Sequence, residues 1–124
     1  MTRKISIRTD SITVDAELID SMTSNTIWES LPLEGTVNTW GLEIYFVIPV
    51  TAELEDGREV VSAGDIAYWP PGKAFCIFFG PTPASRGMEI RAASKVNVFG
   101  KLTGDPDTLR LVKDGEKISI QKSP

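Results

Sequence analysis

Residues 64–85 read GDIAYWPPGKAFCIFFGPTPAS, and this stretch holds five of the chain's ten aromatic residues and four of its eight prolines. Proline fixes its own φ and lacks the amide donor, so Pro70-Pro71-Gly72 and Gly80-Pro81-Thr82-Pro83 exclude a helix running through the segment. Ahead of the two breaks lie residues 66–69 and 75–79 respectively, aromatic and aliphatic runs too short for a stable helix and suited to a pleated surface. The segment is therefore expected to form two strands joined by a tight loop, and the rest of the chain must supply the sheet that holds them.

The remaining sequence has the same short rhythm. Ile5 and Ile7 alternate with Lys4, Ser6 and Arg8, and Ile12, Val14, Ala16 and Leu18 alternate with Thr13, Asp15 and Glu17, the period of half-buried strands. Thr9-Asp10-Ser11 joins the two runs as a hairpin turn. Residues 43–50, EIYFVIPV, form a further strand, with Pro49 marking an edge or a bulge because it cannot donate to a ladder. Asp56-Gly57 and Gly64-Asp65 supply turns before strands at 59–61 and 66–69. Strands at 96–102 and 117–120 complete at least seven, with a loop at Gly104-Asp105-Pro106-Asp107. One helix is expected within residues 21–31, where Ile27, Trp28 and Leu31 share a face behind the N-cap candidates Thr23, Ser24 and Asn25. Pro32 and Gly35 end it, and such a helix would plug one end of a barrel. The expectation is a mainly β, antiparallel small barrel or sandwich, with residues 1–124 forming a single domain.

Composition removes several chemistries. There is no histidine, which takes away the usual metal ligands, nucleophile-activating bases and neutral-pH proton carriers; neither a metal nor a cofactor is expected. The net charge of −4 disfavours nucleic acid and anionic membranes as partners. One cysteine, Cys76, permits no intrachain disulfide and fits a reducing cytoplasm. It sits in an apolar run as a small hydrophobe, and Thr82, Ser85 and Ser94 have no histidine partner for nucleophilic attack. The opening MTRKISIRTDSITV alternates where an export signal would be continuously apolar. The longest apolar runs, 44–50 and 75–79, fall far short of the roughly 20 residues that span a bilayer.

Trp40, Tyr45, Tyr68, Trp69 and Phe75 are candidates for a concave aromatic surface, with about half of these aromatics expected in the core. Strand alternation assigns Phe46, Ile48, Ile66 and Phe78 to one face and Tyr45, Val47 and Ile77 to the other. Glu43 stands between Trp40 and Tyr45, and a carboxylate entering an apolar strand needs a partner if it is buried. Either it pairs with Arg91 or Lys101, or it points into a groove and receives a ligand's donor. Glu89 poses the same choice.

Two family patterns touch these residues. Gly64, Asp65, Pro70 and Gly72 resemble the second motif of cupins, but Phe75 stands where that motif has a metal-binding histidine, and a turn between two strands explains the same residues. A fuller resemblance covers nearly the whole chain: IWESLPLEG, NTWGLEIYF, GDIAYWPPGKAFCIFFGPTPAS and EIRAASKVNVFGKL occur in the order found in the cyclophilin-like superfamily, in its bacterial and archaeal family of small cyclophilin-like domains. This resemblance implies a small closed β-barrel capped by a short helix. Cyclophilins are peptidyl-prolyl isomerases that lower a barrier of about 18–20 kcal/mol by donating from an arginine towards the prolyl nitrogen. Their phenylalanine-arginine motif, phenylalanine-methionine pair and pocket histidine have no counterpart here, which leaves Arg91 and Arg86 as substitutes. The alignment sets Phe75 near the groove glutamine, Ile77 near a groove aromatic, and Trp69 and Pro70 where cyclophilins have small polar residues.

The resulting expectation is a cytoplasmic barrel that binds a peptide segment or small ligand without strong catalysis. Its candidate contacts are Glu43, Tyr45, Trp69, Phe75, Ile77 and Arg91, and no catalytic residue is assigned. Two alternatives stand beside it: a weak, divergent isomerase using Arg91 or Arg86, and a homo-oligomeric interaction protein with aromatics at the interface. The oligomeric state is left open.

Overall fold

A computed structural model of the chain describes residues 3–123. Strands β1 (Arg3–Thr9) and β2 (Thr13–Leu18) form the expected hairpin, pairing Ile5 with Ala16 and Ile7 with Val14. The Thr9 amide closes the turn on the Ile12 carbonyl at 2.8 Å, and the Thr9 hydroxyl accepts from the Ser11 and Ile12 amides at 3.2 Å. Helix α1 (Met22–Ser30) follows, driven into the main core by Ile27. Its N-cap is Ser21, whose Oγ accepts from the Ser24 amide at 3.0 Å, and not one of Thr23, Ser24 or Asn25. Two of those hydroxyls are used elsewhere: Ser24 Oγ donates to the Phe99 carbonyl at 2.8 Å and Thr23 Oγ1 to Glu55 at 2.8 Å.

The other strands are β3 (Leu33–Thr36), β4 (Asn38–Thr39), β5 (Glu43–Val47), β6 (Arg58–Val61), β7 (Asp65–Trp69), β8 (Ala74–Phe78), β9 (Ile90–Leu102) and β10 (Lys117–Lys122). β5 stops before Pro49, as the missing donor requires. The ladder runs β3-β10-β1-β2-β9-β7-β8-β5-β4 with antiparallel pairing throughout, and β6 adds to β9. The fold is mainly β with one short α-helix, as expected.

The expected closed barrel needs correction, because no hydrogen-bonded pair joins the two ends of the ladder. Those ends, β3 and β4, are consecutive pieces of chain with Val37 alone between them. Val37 cannot extend a ladder to β5: its amide donates to the Glu116 carbonyl at 2.9 Å, and its carbonyl accepts from the Gly115 amide at 2.8 Å. Across the seam the Phe46 ring presses onto Gly35, where a β-carbon would lie 2.5 Å from Phe46 Cδ2. Covalent continuity and one aromatic ring therefore do what a ladder would do in a closed barrel.

β7 and β8 are covered on both faces. Inward, Ile66, Tyr68, Phe75 and Ile77 join Ile44, Phe46 and Phe99 in the main core, with the Phe75 ring 5.3 Å from both Phe46 and Phe99. Outward, Ala67, Ala74, Cys76 and Phe78 meet Val61, Ile90, Ala92 and Val96 in a second, smaller cluster. This reverses part of the expected alternation, since Ile77 faces in and Phe78 faces out. β8 carries no polar residue to set its phase, and the cross-strand pairing sets it instead: Glu43 lies opposite Phe78, and Tyr45 opposite Cys76.

Candidate functional site

The outer face of β5 and β8 opens into a concavity of about 250 Å³ bordered by Trp40, Glu43, Tyr45, Trp69 and Phe78, with Ala92, Ala93 and Val96 of β9 opposite. Small side chains on β9 leave the room, and two indoles frame it. Trp69 is fixed from two sides. Its Nε1 donates to Ser94 Oγ at 2.7 Å, and its six-membered ring rests on Gly72, where a β-carbon would fall 2.6 Å from Cζ3. Trp40 is placed by a turn whose next residue, Gly41, has φ +60 and packs so closely that a β-carbon would lie 2.8 Å from Pro83 Cδ. The Trp40 amide donates to the Glu43 carbonyl at 2.9 Å, which returns the chain to the start of β5.

Glu43 is the charged residue of this concavity, and it is 6% exposed. Burial raises its carboxyl from 4.5 to about 7, opposed by the Cys76 thiol. Among the described residues no lysine or arginine pairs with it. The one buried side-chain polar atom without a partner among the described residues is Arg91 Nε, and Glu43 itself lines the concavity. Cys76, on the neighbouring strand, has its thiol pushed well above the usual range, first by burial and then by the charge of Glu43. That is the behaviour of a protonated thiol and not of a nucleophile.

Of the residues singled out in the sequence, Glu43, Tyr45 and Trp69 come together here, with Trp40 beside them. Phe75 and Ile77 do not: at 0% and 1% exposure they lie on the opposite face, inside the main core. Tyr68 is also interior, its hydroxyl donating to the Val50 carbonyl. Arg91 does not line the concavity; its guanidinium is held by Glu89 at 3.1 Å and Glu59 at 3.7 Å. The suggested partners of Glu43 are thus taken elsewhere, Arg91 by those two acids and Lys101 by Asp65 at 3.9 Å. Glu89 is held below the usual carboxylate range, chiefly by the Arg86 amide, and is a structural acid in the loop before β9. Thr82 and Ser85 likewise pin that loop: Thr82 Oγ1 donates to the Arg91 carbonyl, and Ser85 Oγ accepts from the Thr82 and Arg91 amides at 3.0 and 3.2 Å.

Sequence reasoning missed Phe78 and the β9 wall. The pair Ala92-Ala93 was the available signal, since small residues opposite large aromatics leave space.

The profile of the family described as Cyclophilin-like matches residues 3–121. A hypothetical protein from Archaeoglobus fulgidus, determined in solution, is similar with a TM-score of 0.85 and 40% sequence identity, over 98% of this chain and 95% of that one. McbB, determined in complex with tryptophan, is similar in fold alone, with a TM-score of 0.71 and 16% identity over 96% of this chain and 44% of McbB. No curated protein matches the sequence. With a profile match over nearly its whole length and a solved relative at this level of identity, the chain belongs to the Cyclophilin-like family.

Proposed function

We propose that the protein binds a small, mostly apolar ligand, or a single side chain of a peptide segment, in the concavity between Trp40 and Trp69, and that it is not an efficient prolyl isomerase. The observation that carries this reading is an aromatic-lined hollow with one buried carboxyl open to it. Ligand sites are commonly hollows of this kind, apolar with a few placed polar groups, and about 250 Å³ lies just below their usual range of roughly 300–1,000 Å³. The occupant is therefore small. Isomerase chemistry asks for a guanidinium aimed at the bound proline, and Arg91 is committed to Glu59 and Glu89 instead. A single buried cysteine fits a reducing compartment, the cytoplasm, and no helix among the described residues is long and apolar enough to cross a membrane.

Amide chemical shifts recorded while proline peptides and a library of small metabolites are titrated in will test this. Shifts confined to residues 40–45, 69 and 92–96 are expected with at least one ligand, and an absence of localised shifts across the library overturns the binding reading. In a protease-coupled proline-peptide assay the protein should match the uncatalysed rate. Catalysis that disappears in Arg91→Ala would establish the isomerase instead.

A further inference from the structure

We infer, resting on the ligand-binding reading above, that the occupant is a small organic cation, a substituted ammonium surrounded by Trp40, Tyr45 and Trp69 with Glu43 as its counter-charge. Three π systems border one hollow, and a cation near such rings is attracted to their electron-rich faces, most strongly where water is excluded. The second observation is the state of Glu43. The described chain buries two acidic residues, Glu43 and Asp65. Asp65 is provided for, with the Ser62 amide at 2.8 Å and the Lys101 ammonium at 3.9 Å. Among the described residues Glu43 has neither an amide nor a cation, only the neutral Cys76 thiol beside it, so a full counter-charge for its carboxylate has to enter from outside.

The lining also selects the kind of cation. A primary ammonium brings three donors and a guanidinium five, and each needs an acceptor once desolvated. The hollow offers one carboxyl and the Tyr45 hydroxyl, while the Trp69 indole N–H is already donated to Ser94. An ammonium whose hydrogens are replaced by methyl or methylene groups makes fewer demands and presents an apolar shell to Phe78, Ala92 and Val96.

The groups around Glu43 leave it as the one that responds to such a ligand. On β8 it meets the Cys76 thiol, which burial keeps protonated. On its own strand it has Tyr45, on β7 Trp69, and on β9 the alanines beside Arg91, whose charge is met by Glu59 and Glu89. A cation displaces the proton from Glu43, so binding strengthens as pH rises through neutrality.

Choline and its neutral carbon isostere, 3,3-dimethylbutan-1-ol, separate charge from shape. Titrated at pH 8 and followed by the indole N–H signals of Trp40 and Trp69, choline should bind about tenfold or more tightly than the isostere. It should weaken at pH 6, and Glu43→Gln, checked for an unchanged fold by its amide spectrum, should lose the preference. Equal binding of both probes at those indoles overturns the cation assignment and leaves ligand binding standing. Binding of neither also overturns it, and the library titration then decides separately whether the hollow takes any ligand.

Discussion

Cys76 and Ile77 are neighbours on β8, but they face two cores built on different plans. Beneath Ile77, large rings interdigitate: the Phe75 ring lies tilted against Phe46 and edge-to-face with Phe99, each at 5.3 Å, within an apolar cluster. Beneath Cys76, the partners are mostly alanine and valine, an acid is buried without a cation, and a hollow is left over. Filling every gap gives stability, whereas a gap lined with rings and one carboxyl gives a place for something else. One strand therefore serves both ends, and mutations on its alternate residues should separate them.

The largest effect is expected on the inner face. Phe75→Ala removes a ring packed against two others and should cost about 3–5 kcal/mol in denaturant unfolding. A cost below about 1 kcal/mol would mean that the inner face is not the stabilising one. The outer face should respond in the opposite direction. Folded Glu43 holds its proton up to about pH 7, but the unfolded chain releases it near 4.5, so the wild type loses stability as pH rises across that window. Glu43→Gln has no charge to bury. It should unfold like the wild type near pH 4 and be the more stable by up to roughly 3 kcal/mol at pH 9, as read from urea midpoints at the two pH values. A variant less stable than the wild type at pH 9 would mean that the carboxylate has a cationic partner in the free protein.

Legibility followed the same division. The β1–β2 hairpin was plain because one face of it meets water, so polar and apolar residues alternate. β7 and β8 were found from the prolines and glycines around them. Their facing was not, because a strand buried on both sides has no polar residue to mark either, and Phe75 and Ile77 were assigned to a site from which they point away. The first half of β9, around Arg91-Ala92-Ala93-Ser94-Lys95, has few strand-forming residues and takes its shape from an irregular pairing with β6. β3 and β4 were hidden by Pro32 and Gly35, which act as turn signals locally; Gly35 is required for a different reason, the Phe46 ring lying on it. Glu43 was legible as a residue in need of a partner. Which partner was not, because Arg91 turns to Glu89, two residues before it, and to Glu59 on β6, while Lys101 turns to Asp65 on β7.

Two smaller changes probe the wall of the hollow alone. Gly72→Ala places a carbon 2.6 Å from Trp69 Cζ3, so the ring must move; a cost of about 1–3 kcal/mol and a shifted Trp69 indole signal are expected, with main-core amides unchanged. Ser94→Ala removes the acceptor of that indole N–H and should cost about 1 kcal/mol while moving the same signal to a weaker-bonded position. An indole signal indifferent to Ser94→Ala would show that the ring is held by packing alone.

The seam at Val37 bears on self-association. Sheets invite further strands wherever backbone donors and acceptors are left open along an edge, which is the route to fibrils and to strand exchange between copies. Here both terminal strands of the main ladder belong to one seven-residue stretch, and the residue between them has its amide and carbonyl occupied. The other margin, β6, is four residues long, opens with Arg58 and Glu59, and is broken by a register shift. Among the described residues, the strands at these margins are short or interrupted and give an incoming strand little straight template.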